Sequence, residues 1–229
     1  NGVADNIKIM SVRTVPDGDE RDKDVSLAIR YAVNNGASVI NMSFGKGYSP
    51  YQKEVYEAIK YAEKNGVLLV HAAGNDASDV DSVKNYPSNA YSFQKEPFTN
   101  YLTIGASTYM KKEISASFSN YGQKSVDVFA PGYKIYATVP DNKYKNLQGT
   151  SMAAPMVTGV AALIKSYYPE LTMIEVKNII LQSATLYKET EVIAPGKESK
   201  IEFGTLSKTG AVVNVLKAVQ LAEERTTIK

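Results

Sequence analysis

Two periodicities alternate along the first 75 residues. Ile7 to Arg13 (IKIMSVR) switches between apolar and polar positions and predicts a strand. Val25, Ala28, Ile29, Ala32 and Val33 recur at helical spacing. Asn35-Gly36 closes that run with a glycine suited to a left-handed cap. Ser38 to Phe44 (SVINMSF) predicts a short apolar strand. Ser49-Pro50-x-Gln52 offers an N-cap, a first-turn proline and a capping glutamine. The helix they open runs through Val55, Ile59 and Ala62 and stops at Asn65-Gly66. Val67 to Ala73 (VLLVHAA) is almost wholly apolar, as a strand covered on both faces should be. Strand, helix, strand, helix, strand predicts right-handed crossovers and a mostly parallel sheet with helices on both faces. Ligands of such sheets bind at the carboxyl ends of the strands. Those ends are Ser43-Phe44-Gly45 and Ala72-Ala73-Gly74-Asn75.

Asp76 to Asn100 is polar and predicts a long surface loop. Strands follow at Tyr101 to Ala106, Val126 to Ala130 and Lys134 to Val139, with a short strand and turn within Ile114 to Tyr121. Asp141 to Gln148 is a polar approach to an apolar helix through Met156, Val157, Val160, Ala161 and Ile164. Thr172-x-x-Glu175 is a capping box for a helix through Val176, Ile179 and Ile180. A charged loop at Glu189 to Lys200 and a short strand at Ile201 to Phe203 come next. A closing amphipathic helix is predicted over Ala211 to Leu221, with residues 222–229 as a frayed tail. No repeat or shift in composition divides the chain, so residues 1–229 read as one domain.

Composition narrows the partners. With 26 basic and 24 acidic residues the net charge is +2, which gives no electrostatic footprint for nucleic acid. No apolar run reaches the roughly 18 residues of a membrane span. Cysteine is missing, which excludes disulfides and cysteine-based zinc sites and suits a bacterial secreted enzyme. Asp17 and Asp19 are spaced as in a calcium loop, but Arg21 and the lack of a later Glu break the pattern. Asp76, Asp79 and Asp81 form an acidic turn, so no metal ligands are assigned.

The chemistry gathers around Gly149-Thr150-Ser151-Met152-Ala153-Ala154-Pro155. Small residues let a substrate approach the backbone. A hydroxyl at a helix N-terminus meets free N–H groups and a positive dipole end, which favour developing negative charge. That suits an attacking serine and its oxyanion; a simple Thr or Ser N-cap is the structural alternative. Gly74-Asn75 is either a turn or a carboxamide donor at a strand end. His71, the single histidine, sits inside an apolar strand, where a packed, hydrogen-bonded role is expected.

The seven-residue string resembles the nucleophile motif of subtilisin-like serine proteases. Ala72-Ala73-Gly74-Asn75-Asp76 is similar to that family's oxyanion motif, and Val39 to Gly45 to its substrate-binding strand. Tyr86-Pro87 and the segment from Gly210 to Val219 also resemble family landmarks, the former near the pocket base. Met156 stands where the family usually has His. The resemblance implies a three-layer α/β/α fold, truncated on the N-terminal side, and peptide hydrolysis through an acyl-enzyme. It implies Ser151 as nucleophile and Asn75 as oxyanion donor. Ser43, Phe44 and Gly45 would face Ala72, Ala73 and Gly74 across the substrate pocket. The small Ala72 and Ala73 would leave room for a large apolar P1 side chain.

The family's Asp and His motifs do not occur in these residues. The implied reading is a fragment that starts after the catalytic His and is inactive alone, without a cofactor of its own; calcium would belong to the parent protein. Its substrate is polypeptide, its setting secreted or envelope-associated, and its exposed sheet edges invite oligomer contacts. The alternative is a catalytically dead binding or regulatory relative. An α/β-hydrolase is excluded because Ala153 breaks Gly-x-Ser-x-Gly and no histidine follows His71. A dinucleotide-binding domain is excluded because Pro16-Asp17-Gly18 is no Gly-x-Gly-x-x-Gly turn.

Overall fold

A computed structural model describes residues 2–110 and 113–227. In chain order its elements are α1 (Asp22–Asn34), β1 (Val39–Met42), α2 (Gln52–Lys64), β2 (Leu68–Ala72), β3 (Tyr101–Ser107) and β4 (Val128–Pro131). The hairpin strands β5 (Ile135–Val139) and β6 (Lys143–Leu147) lead to α3 (Thr150–Tyr167) and α4 (Met173–Ser183). Short strands β7 (Thr185–Leu186), β8 (Glu191–Ile193), β9 (Lys200–Glu202) and β10 (Ala211–Val212) precede α5 (Val215–Thr227).

The central sheet has the order β1-β2-β3-β4-β10-β7. All neighbours pair in parallel except β10 with β7. The expected α/β class with a mostly parallel sheet is therefore what the chain forms. β2 shows why. Leu68 and Val70 pack into the cluster under α3, α4 and α5, whereas Leu69 packs into the cluster under α1 and α2. Side chains alternate faces with a period of two, so a strand covered on both sides must be apolar throughout.

Helix α3 lies across β1 to β4. Ala153, Ala154, Val157 and Ala161 on its buried side are fully inaccessible, and their small size lets the helix settle close to the sheet. The capping box forms as expected: the Thr172 hydroxyl accepts from the Glu175 N–H while the Glu175 carboxylate accepts from the Thr172 N–H.

Six expectations are corrected. Ile7 to Arg13 is not a strand; it runs as irregular chain with Ile9 86% exposed. Alternation supplies one apolar face, but a strand also needs a hydrogen-bonding neighbour, and none lies beside this segment among the described residues. Ala211 and Val212 form β10 instead of a helical turn, because they add to the sheet beside β4 and β7. The closing helix starts at Val215 and continues to Thr227, beyond the predicted fray point; residues 228–229 lie outside the described residues. The polar approach at 141–148 contains β6, held by pairing across a hairpin, and the charged loop at 189–200 contains β8, which pairs with β9 and buries Val192. Helix α2 starts at Gln52, and its N-cap Tyr51 makes no side-chain cap; the Tyr51 N–H is taken instead by Asp22 Oδ2 at 2.8 Å.

Candidate active site

The turn into α3 depends on Gly149, whose φ of 149° lies where side chains do not fit. Its N–H donates to the Gly132 carbonyl at 2.8 Å, which ties the turn to the end of β4. Thr150 and Ser151 are then the first two helical residues. Thr150 is fully buried and Ser151 half-buried. As the second residue of the helix, Ser151 has an N–H without an intrahelical acceptor. Four residues on, Pro155 has no N–H to offer the Ser151 carbonyl. Ser43 Oγ fills that gap, donating to the Ser151 carbonyl at 2.9 Å. Ser151 Oγ in turn donates to the Ser43 carbonyl at 3.1 Å.

On the other side, Thr150 orients Asn75. The Gly74 N–H donates to Thr150 Oγ1 at 3.1 Å, and Thr150 Oγ1 donates to Asn75 Oδ1 at 3.1 Å. The Thr150 N–H also reaches Asn75 Oδ1, at 2.9 Å. With its oxygen doubly engaged, the Asn75 carboxamide keeps Nδ2 as its outward donor. Asn75 Nδ2 and the Ser151 nitrogen each lie 3.6 Å from the point where a Gly149 Cβ would stand. Asn75 Oδ1 lies equally near that point, so the Asn75 carboxamide and the Ser151 nitrogen share the space beside Gly149.

β1 and β2 are parallel neighbours, so Ser43-Phe44-Gly45 and Ala72-Ala73-Gly74 leave the sheet side by side. The inner end of the gap between them is occupied by Asn85. Its Nδ2 donates to the Ala73 carbonyl at 2.9 Å and more weakly to that of Ala72 at 3.4 Å. A Cβ on Gly45 would meet Asn85 Oδ1 at 2.7 Å, and one on Gly74 would meet Asn85 Nδ2 at 3.5 Å. The room expected for a large apolar side chain is therefore filled at its base by a carboxamide. Tyr86 pairs with Lys46 by reciprocal backbone hydrogen bonds of 2.8 and 3.0 Å, which brings Tyr86-Pro87 beside Gly45.

His71 is a packed residue. It is 1% exposed, and its Nε2 lies 2.8 Å from the Phe44 carbonyl. A carbonyl only accepts, so Nε2 carries the proton. Burial pushes its pKa down to about 4, against the pull of the Phe44 hydrogen bond. It is not placed to take a proton from Ser151.

The acidic turn at Asp76, Asp79 and Asp81 satisfies backbone donors. Asp79 Oδ1 accepts from the Asp81 N–H at 3.0 Å, and the Asp81 carboxylate accepts from the Lys124 N–H at 2.9 Å. Among the described residues no group of three or more His, Cys, Asp or Glu side chains is placed to hold a metal ion.

Comparison with known proteins gives the family. A family model for the subtilases, Peptidase S8, matches residues 1–211. The chain belongs to the subtilase family. It is 36% identical over 186 residues to Subtilisin DY of Bacillus licheniformis, covering 80% of this chain and 63% of that protein. It is 34% identical over 219 residues to Subtilisin-like protease 2 of Plasmodium falciparum, covering 94% of this chain but 16% of that protein. A solved structure of a cold-adapted subtilisin-like serine proteinase shares 31% identity at a TM-score of 0.71, covering 87% of this chain and 67% of that one. The chain spans between about two fifths and two thirds of the length of bacterial relatives it matches.

Within this subtilase chain Ser43 and Ser151 are joined by two hydrogen bonds, Asn75 is bound to Thr150 beside Ser151, and the segments 43–45 and 72–74 follow neighbouring strands. Three contributors escaped the sequence reading. Thr150 is legible only as an N-cap, because its contacts with Gly74 and Asn75 cross 76 and 75 residues. Asn85 lies in an irregular polar loop, where no periodicity marks a residue. Asn120, described below, is one polar residue in a serine-rich turn.

Proposed function

We propose that the protein containing this subtilase chain is a serine endopeptidase. Ser151 Oγ attacks the substrate carbonyl, and the oxyanion is received by Asn75 Nδ2 and the Ser151 N–H. Collapse expels the amine, which takes up a proton, and leaves an ester on Ser151; water then releases the acid. The observation that carries this reading is the double engagement of Asn75 Oδ1 by Thr150, which leaves Nδ2 as a donor beside Ser151. The substrate is an extended polypeptide lying along Ser43 to Gly45 by main-chain hydrogen bonds.

The proton acceptor comes from outside these 229 residues. His71 is buried and engaged, and the Ser151 proton points to the Ser43 carbonyl. The isolated chain is therefore inactive in this reading. Calcium, if required, is held by the parent protein, and the setting is extracellular or the cell envelope. No described helix is long and apolar enough to cross a membrane. The outer edge of β1 and the exposed Ile7, Ile9 and Met10 favour association of isolated chains. A catalytically silent binding domain is the second reading, favoured by the Ser151 to Ser43 hydrogen bond, which occupies the hydroxyl without activating it.

Hydrolysis of a fluorogenic peptide library separates these readings. The full-length protein is expected to cleave, and Ser151→Ala and the isolated chain are not. Absence of cleavage by the full-length protein would leave the silent-domain reading standing.

A further inference from the structure

We infer that Asn120 is a positioning residue, which fixes the segment carrying Asn75 from both sides. The inference rests on reading Asn75 as the oxyanion donor. Thr150 holds the Asn75 side chain, but a side chain is only as fixed as the backbone beneath it. Gly74 makes that backbone weak. Its φ of 103° is open to glycine, which gains freedom most readily when restraints are lost. The segment 73–78 lies beyond β2, and its backbone bonds to the fold include the Ala73 N–H to the Ile104 carbonyl at 3.0 Å and the Ala77 N–H to the Phe118 carbonyl at 2.9 Å.

The Asn120 carboxamide binds the groups beside and between those bonds. Its Oδ1 accepts from the Asp76 N–H at 2.9 Å and from the Ser78 N–H at 2.9 Å. Its Nδ2 donates to the Ala73 carbonyl at 2.9 Å and to Asp76 Oδ2 at 3.3 Å. The Asn120 N–H donates to the Gly74 carbonyl at 2.9 Å. One residue thus grips positions 73, 74, 76 and 78, on both sides of Asn75, whose side chain Thr150 holds. A Cβ on Gly74 would collide with the Asn120 amide, so the contact is close as well as bonded. Asn120 is itself 3% exposed and is seated by its neighbour, since Ser119 Oγ donates to the Asn120 carbonyl at 2.8 Å and accepts from the Ala106 N–H at 2.9 Å. The chain of support runs from β3 through Ser119 and Asn120 to Asn75, with no contact between Asn120 and the reacting atoms.

The test reads position separately from catalysis. In ¹⁵N–¹H spectra of this chain, the Asn75 side-chain pair is assigned by its loss in Asn75→Ala. Asn120→Ala is expected to shift or broaden that pair and to abolish slow exchange at the Asp76 and Ser78 N–H groups. The methyl signals of Ile179 and Ile180, buried in another part of the core, should stay in place and report that the chain is folded. Asn120→Asp keeps both acceptor bonds, loses the donor to Ala73 and Asp76 and faces the Asp76 carboxylate; it should retain part of the protection and serves if Asn120→Ala does not fold. An unchanged Asn75 pair with unchanged Asp76 and Ser78 exchange, in either variant, overturns the assignment. In the full-length protein, Asn120→Ala should lower kcat by about tenfold with KM little changed, the size of one misplaced hydrogen bond in a transition state. A protein without peptidase activity would remove the kcat arm and the oxyanion role, whereas the spectra would still decide whether Asn120 holds the segment.

Discussion

Ser151 and Ser43 are joined by two hydrogen bonds that run in opposite directions. Each hydroxyl donates to the other residue's carbonyl, at 3.1 and 2.9 Å. The second bond exists because Pro155 cannot supply the helical N–H that the Ser151 carbonyl would otherwise accept. A motif proline, a helix turn and a strand end, far apart in sequence, are thereby one device. Ser43→Ala should remove the substitute donor and cost about 1 kcal/mol of stability. Pro155→Ala should lessen that cost by restoring the helical bond, so the double variant should lose less than Ser43→Ala alone. Urea unfolding of the four proteins gives the coupling directly.

The Thr150 hydroxyl is predicted to matter through Asn75. In the full-length protein, Asn75→Ala should lower kcat by about 10²–10³, the loss known for such a donor in a subtilisin. Thr150→Val, which loses the hydroxyl's bonds with Gly74 and Asn75 and keeps the backbone N–H bond to Asn75 Oδ1, should cost about tenfold, and Thr150→Ser should keep most activity. Equal activity in Thr150→Val and Thr150→Ser would contradict the orientation of Asn75 described above.

Asn85 is predicted to limit the side chain admitted between the pocket walls. Asn85→Gly opens the base of the gap beside Gly45 and Gly74. The ratio of kcat/KM for peptides with Phe against Ala at P1 should rise by about 10–100-fold in the full-length protein. An unchanged ratio would mean that the P1 side chain lies elsewhere.

Stability should depend on pH through His71. The unfolded histidine titrates near 6.5, and the folded one near 4 because burial disfavours its charge. Between those values the unfolded chain binds more protons, so stability rises with pH across that window. The contribution is complete above about pH 6.5 and is lost as pH falls toward 4, by about 3 kcal/mol in all. Urea unfolding at pH 7 and pH 5 should show this slope, and His71→Gln should flatten it. A slope surviving in His71→Gln would assign the titration to another group.

Much of this fold is readable from periodicity, where burial and local geometry agree. β2 is apolar throughout because both its faces are covered, and α3 is small-sided because it lies close to the sheet. Periodicity fails where pairing decides. Ile7 to Arg13 alternates like a strand yet has no neighbour, whereas Lys143 to Leu147 is polar and exposed yet pairs fully with β5. The same division runs through the site. Ser151 and Asn75 sit in short motifs whose local turns are encoded nearby. Asn85 and Asn120 act on Ala73 and Gly74 across the fold, and nothing in their own surroundings marks them.

The most direct measurement is labelling with a fluorophosphonate, followed by peptide mapping. The full-length protein should be modified rapidly and stoichiometrically at Ser151, and the isolated 229-residue chain should react orders of magnitude more slowly, since no base draws the proton from its hydroxyl. Rapid modification of the isolated chain, or modification of the full-length protein at a residue other than Ser151, would contradict the account.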